Sequence, residues 1–280
     1  MLTQATLRTE GIVVPTYWWD GHPNFGDDLT PWLLPRLGVA PIHREPQHAR
    51  LIGVGSILEF LPPDWAGAVW GSGLMSDQRY SLPRAHVLAV RGHLTADRIG
   101  APETCALGDP GILVARYLPV PRKRWEVALV PHGHHRQHRD FLGLAGTRDL
   151  SVRIVNVHQS APRAAQEIGS ARVVMTTSLH GLITADSFGI PAVWTTLEPA
   201  LGGGDFKFRD YESVITPGRS RFVPFEAGMP LQEFISAAWA AQPDAVTASG
   251  DALLSALERL TDVVEVGSFP RGVIDVLRHA

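Results

Sequence analysis

Two short stretches hold residue types that could do chemistry. In "SLHGLITADSFGIPAVW" (178–194) a histidine, His180, opens an otherwise apolar helix directly after the strand-like run "RVVMTTS". The N-terminus of a helix favours an anion, because its first N–H groups lack intrahelical partners and its dipole points positive charge outward. His180 could donate there to a phosphate or carboxylate, or act as acid or base. It could equally cap the turn, with Gly181 admitting close packing.

The second stretch, "YWWDGHPNFGDDLTPWLL" (17–34), puts Asn24, Gly26, Asp27 and Asp28 at a strand-to-helix turn with Pro31 near the helix start. An Asp or Asn at such a turn is ordinarily an N-cap. Two carboxylates and an amide exceed what capping needs, so they could orient sugar hydroxyls, one of them as a base. Tyr17, Trp18 and Trp19 precede the turn; their faces could stack on a sugar ring or fill a core.

Weaker signals lie between. The glycine turns "VGSI" (54–57), with Ser56, and "WGSGL" (70–74) could each cradle an anion with backbone N–H groups, but neither matches a dinucleotide fingerprint. Arg91 in "VRGHLTADRIG" (90–100) ends a strand and could grip a carboxylate or phosphate, or lie on the surface. "PHGHHRQH" (131–138) offers four histidines; His134 and His138 could share a helical face, yet no carboxylate or cysteine stands at a familiar metal-ligand spacing. A solvated loop is expected for three of the four, whereas His132 ends a strand. "FKFRDYES" (206–213) follows the flexible "LGGGD" and could carry Lys207 over a cleft on a mobile lid, or be a surface loop.

These residues need elements to position them. Apolar runs at 11–19, 49–55, 67–73, 85–92 and 105–115 read as buried strands ending in glycine turns, which points to a parallel α/β sheet. "RYLPVPRKRW" (116–125) breaks the pattern with two prolines and a basic run, and reads as a linker dividing residues 1–118 from 119–280. Further strands are expected at 126–132, 151–156, 171–178 and 190–196, with helices at about 135–145, 161–169 and 179–188 between them. From 229 onward the chain reads as amphipathic helices, with Thr247 or Ser249 as an N-cap. Two α/β halves with a crevice between them is the simplest architecture, and ligands in such sheets sit outside the carboxyl ends of the strands.

Composition narrows the function. The 280 residues are 45% hydrophobic and 19% charged with a net charge of −3, so no basic field would gather nucleic acid or anionic lipid. A single cysteine, Cys105, excludes an internal disulfide framework and cysteine-based zinc sites. The first residues lack a signal-peptide pattern and no run of 18 apolar residues occurs, so a cytosolic protein is expected.

In this order, "NFGDD", "VGS", "WGSGL", "VRGHLT", "LGDPG", "VPH", "SLHGLITADSFGIP" and "FKFRDY" resemble the polysaccharide pyruvyl transferase family. "SLHGLI" followed by "GIP" is the most specific of these elements. The resemblance implies two Rossmann-like domains in a GT-B-like arrangement, the site in the interdomain cleft and the donor held mainly by the second domain. It implies transfer of a pyruvyl group from phosphoenolpyruvate to two hydroxyls of a sugar, in a surface polysaccharide or a lipid-linked oligosaccharide, as a cyclic ketal. No cofactor beyond that donor is implied, and association with the inner face of the membrane would come through the acceptor. On that chemistry, His180 or His132 suits the acid and Asp27 or Asp28 the base, with Asn24, Gly26 and Ser56 on the acceptor side. Ser178, Leu179 and Gly181 flank the donor. Some members carry arginine where Ser178 stands, so the phosphate charge falls to Arg91, Arg153 or Lys207. Two rivals stand beside this reading. A GT-B glycosyltransferase would grip a nucleotide sugar with a late carboxylate such as Glu198 or Glu212. A non-catalytic glycan- or phosphate-binding protein would need no titrating acid.

Overall fold

The computed structural model describes residues 10–270. Its strands form two separate sheets. The first has seven strands in the order β11-β1-β3-β4-β5-β6, with β2 paired to β1: β1 (Glu10–Tyr17), β2 (Val39–His43), β3 (Leu51–Ile52), β4 (Ala68–Trp70), β5 (His86–Val90), β6 (Ala106–Leu107) and β11 (Gly267–Pro270). All its pairings are parallel except β1 with β11. The second is wholly parallel, in the order β10-β9-β7-β8: β7 (Trp125–Val130), β8 (Val152–Ile154), β9 (Ala171–Thr176) and β10 (Ala192–Trp194).

The local sequence explains the elements that bear on the site. Val127 to Val130 are fully buried, as a central parallel strand covered on both faces requires. In the helix Ala161–Gly169, Ala161, Ala164, Ala165 and Ile168 make one buried stripe at helical spacing. The helix Leu179–Ser187 is buried from Leu179 through Asp186, so it runs through the core and not along its surface. One hydrophobic cluster joins the halves: Leu29, Ile112 and Leu113 from the first meet Leu182, Ile183 and Ala185 from this helix.

Several elements differ from expectation. The run 105–115 is a strand only at Ala106–Leu107; Asp109 then caps a 3-10 turn, Pro110–Leu113, by accepting from the Gly111 N–H at 2.9 Å. β2 was not expected. The long C-terminal helix runs Pro243–Glu258 behind Gln242, so Thr247 and Ser249 lie inside it and cap nothing. It packs on the first sheet, where Trp70 Nε1 donates to the Leu253 carbonyl (2.8 Å) and Ser249 Oγ to the Leu107 carbonyl (3.0 Å). Gly267–Pro270 is the strand β11, so Pro270 does not open the helix expected from 270 to 280; residues 271–280 lie outside the described residues, as does the N-terminal stretch 1–9. No helix among the described residues is long and apolar enough to cross a membrane.

Candidate active site

A cavity of about 210 Å³ opens where loops after the first-sheet strands face the start of the Leu179–Ser187 helix. Trp19, His22, Asn24, Asp27, Ser56, Ile57, Phe60 and Met75 line it from the first half; His132, His134, Ser178, Leu179, His180 and Lys207 line it from the second.

The 24–28 turn is knitted internally and across the molecule. Asn24 Nδ2 donates to Asp27 Oδ2 (2.6 Å), Asn24 Oδ1 accepts from the Gly26 N–H (3.1 Å), and the Phe25 N–H donates to the Val157 carbonyl of the second half (3.0 Å). Burial pushes the Asp27 carboxyl up from 3.8 to about 6, against the opposing influence of His180 and the Asn24 hydrogen bond. Asp28 is not a pocket residue: it occupies the cap position of the short helix Leu29–Leu33, half-buried. Gly26 lies behind His180, not beside a ligand; a Cβ there would fall 2.1 Å from His180 Nδ1. Trp19 stacks on Phe60 at 5.4 Å and 22°, and Phe60 is 45% exposed, which leaves a flat aromatic rim of the kind sugars stack on.

Opposite, Ser178 precedes the helix without a side-chain cap, so the N–H groups of the first turn and the dipole favour an anion there. His180 is the second helical residue, and its Nε2 lies 3.6 Å from Asp109 Oδ2. Gly181 touches no pocket; it lets the helix approach its strands, since a Cβ would meet Thr176 Oγ1 at 2.4 Å and Val130 Cγ1 at 2.9 Å. The "TTS" bend that feeds the helix is held by Thr176 Oγ1, which donates to the Val130 carbonyl (2.9 Å) and accepts from the Ser178 N–H (2.8 Å).

Three expected cations separate cleanly. Arg91 is fully buried and spent on structure: Nε binds Asp210 (2.9 Å), NH1 donates to Ser56 Oγ (2.5 Å) and NH2 to the Leu74 carbonyl (2.6 Å). It holds Ser56 in the pocket wall. Arg153 is on the edge strand β8, paired with Glu167 at 2.8 and 3.1 Å, beside a different groove. Lys207 alone of the three lines the pocket. It is buried, and burial together with the Arg91 charge lowers its ammonium to about 8, with Asp27 acting the other way. It does not ride on a lid. Its helix, Phe206–Ile215, is bolted down: Asp210 accepts from Arg91, from the Thr95 N–H (2.8 Å) and from Thr95 Oγ1 (2.6 Å), and Phe208 stacks on Trp194 at 4.5 Å.

His132 lines the pocket, and its surroundings disfavour the protonated form that an acid needs. Burial first, then the Lys207 charge, push its imidazole down to about 2, and its Nδ1 accepts from the His134 N–H (3.2 Å). His135, expected in a solvated loop, is 1% exposed, its ring nitrogens set against Thr177 Oγ1 (3.1 Å) and the Pro199 carbonyl (3.0 Å). His138 caps the helix Arg139–Gly143 by accepting from the Phe141 N–H (3.3 Å). Among the described residues, no three His, Cys, Asp or Glu side chains converge as a metal site.

Sequence reasoning missed His22, Phe60, Met75 and Asp109 at the site, and Arg221 behind it. Arg221 is buried between the two helices, bound to Asp186 of one and to Glu212 of the other (Nε–Oε1 3.0 Å), while Tyr211 donates to Asp186 (2.8 Å). Only "LGDPG" gave a signal, and it reads as a cap.

The sequence profile described as polysaccharide pyruvyl transferase matches residues 51–198. The chain is 30% identical over 229 residues to succinoglycan biosynthesis protein ExoV of Rhizobium meliloti (strain 1021), covering 75% of this chain and 67% of that protein. It is 28% identical over 162 residues to an uncharacterized protein of Acanthamoeba polyphaga mimivirus, covering 55% of this chain and 56% of that one. The chain belongs to the polysaccharide pyruvyl transferase family. The matched segment takes in Ser56, Asp109, His132 and Ser178–His180, whereas Asn24, Asp27 and Lys207 flank it.

Proposed function

We propose that the pocket transfers a pyruvyl group from phosphoenolpyruvate to two hydroxyls of a sugar in a surface polysaccharide or its lipid-linked precursor, closing a cyclic ketal. The observation that carries this reading is one cavity holding Lys207, a helix N-terminus with His180, and Asp27, beside an aromatic rim. Family membership, and a relative whose name places it in succinoglycan biosynthesis, support it.

The scheme assigns each group a step. Lys207 and the first-turn N–H groups hold the phosphate and carboxylate of the donor. His180 gives a proton to the methylene carbon as an acceptor hydroxyl attacks C2, and Asp27 takes that hydroxyl's proton. Phosphate leaves, the second hydroxyl closes the ring, and its proton departs with the phosphate. Trp19 and Phe60 carry the acceptor ring. The scheme needs no further cofactor. The two sheets are read as the halves of a GT-B-like arrangement, residues 1–118 facing the acceptor and 119–280 the donor. The enzyme is read as cytoplasmic, meeting a lipid-linked acceptor at the inner membrane face.

A nucleotide-sugar transferase is less well supported. Glu212 is consumed by Arg221, Ser220 and the Arg221 N–H, and Glu198 lines a separate groove with His138 and Phe225. The test is phosphate release from phosphoenolpyruvate with candidate glycans, with the product methyl group read by NMR. Acceptor-dependent release and a ketal methyl signal are expected. Turnover of a nucleotide sugar instead, or binding without release, would overturn the reading.

A further inference from the structure

Two buried polar atoms face one another beneath the pocket. His180 Nε2 and Asp109 Oδ2 are 3.6 Å apart, and neither has a hydrogen-bond partner among the described residues. Asp109 is fully buried and the His180 side chain 10% exposed. Leaving either group unpaired in the interior is costly, and two such atoms aimed at each other are rarely accidental. The distance lies just beyond hydrogen-bonding range. Catalytic hydrogen bonds are often long in empty sites and tighten when the site fills.

Both partners are held from behind. The other carboxylate oxygen of Asp109 accepts from the Gly111 N–H at 2.9 Å, so the cap of the Pro110–Leu113 turn fixes the side chain. On the far edge of the imidazole, Gly26 backs Nδ1, and nothing larger than glycine fits there. The two ring nitrogens are thereby divided: Nε2 faces a buried carboxylate, and Nδ1 lies on the side of the 24–27 turn, on a ring that lines the cavity.

We propose that Asp109 is the positioning residue of His180, accepting a hydrogen bond from Nε2–H as substrates bind and so committing Nδ1 to the substrate. This rests on the reading of the pocket as a pyruvyl transfer site. In the transfer step the Nδ1–H bond breaks and its proton forms a C–H bond with the π pair of the donor's methylene carbon. The acceptor oxygen supplies the pair for the new C2–O bond as its proton passes to Asp27, and His180 is left neutral with its proton on Nε2, hydrogen-bonded to Asp109. The carboxylate stabilises the imidazolium before that step and takes up no proton.

Asp109→Asn tests the proposal, because it keeps an oxygen for the Gly111 N–H while turning an NH₂ toward Nε2. Nε2 must then accept, and the ring proton moves to Nδ1. ¹⁵N NMR of histidine-labelled full-length protein is expected to show His180 protonated at Nε2 in the unmodified chain and at Nδ1 alone in the variant. With phosphoenolpyruvate and an acceptor, kcat is expected to fall about 10²–10⁴-fold with donor KM changed less than about threefold. A neutral His180 protonated at Nδ1 in the unmodified chain overturns the proposal without any variant; so does Asp109→Asn with unaltered kcat. Since the spectrum needs no turnover, it judges the pair even if phosphoenolpyruvate proves not to be the donor, which would overturn the functional reading and not the pairing.

Discussion

Arg221 and Lys207 are both buried cations set against the same helix, Phe206–Ile215, and they live in opposite circumstances. Arg221 is saturated: Asp186 and Glu212 take its guanidinium, Tyr211 backs Asp186, and Trp239 lies 5.4 Å beneath it. Lys207 has no hydrogen bond or ion pair to any described residue, opens on a cavity, and has its ammonium lowered to about 8. A buried charge with all its partners holds elements in place, and one without a hydrogen bond or ion pair is a candidate to bind something else. Arg91 falls on the Arg221 side of that division although it stands at a strand end where a ligand grip would be expected. The pocket groups (Lys207, Asp27, His180 with Asp109) fall on the other.

The largest effect expected from breaking this contrast is structural. Arg221→Met strands two buried carboxylates, so unfolding in urea should show a loss of about 3–5 kcal/mol. A loss under about 1 kcal/mol would mean that the network is not what fixes the two helices. Asp27→Asn should do the reverse. Its carboxyl sits at about 6 against an ordinary 3.8, so the fold binds that proton more tightly than the unfolded chain does. Stability contributed there is lost as pH rises from 3.8 to about 6, and above that the charged form carries the full cost. The amide should raise stability at pH 7 by up to about 3 kcal/mol, while turnover falls about 10²–10³-fold with donor affinity kept. Equal loss of donor affinity would move Asp27 to the donor side.

Lys207→Met is expected to raise donor KM about 10–100-fold, the range for losing one charge-assisted contact to an anion, without destabilising the protein. A drop in thermal stability with KM unchanged would assign Lys207 to the Arg221 class. The smallest effect is the pH profile. Protonation of Asp27 below about pH 6 and loss of the Lys207 charge above about pH 8 should each lower kcat/KM for the donor. His132, held near 2, should contribute no limb. Lys207→Arg should remove the part of the alkaline decline that comes from Lys207, since a guanidinium stays charged there.

What could be read from sequence follows physical lines. β7 and β9 are apolar because both faces of their sheet are covered, and the helix Ala161–Gly169 shows its buried stripe, so these elements were visible. β2 escaped because its "VAPIH" contains proline and holds a position beside β1 that no local pattern announces. His180 was visible since an apolar strand runs straight into an apolar helix around it. The burial of Arg91 was not legible because its partner is 119 residues away, and sequence cannot say which carboxylate an arginine will meet. Asp109 was hidden behind its own cap: the "DPG" turn explains one carboxylate oxygen and is silent about the other.

In the proposed scheme the pocket does acid-assisted transfer through His180. The most direct test is acceptor-dependent phosphate release from phosphoenolpyruvate by His180→Ala and His180→Gln, with donor affinity measured alongside. The alanine variant should lose turnover by about 10³-fold or more, and the glutamine variant should regain donor binding without regaining turnover. Near-normal turnover in His180→Ala would reduce His180 to a helix-start residue and contradict the account.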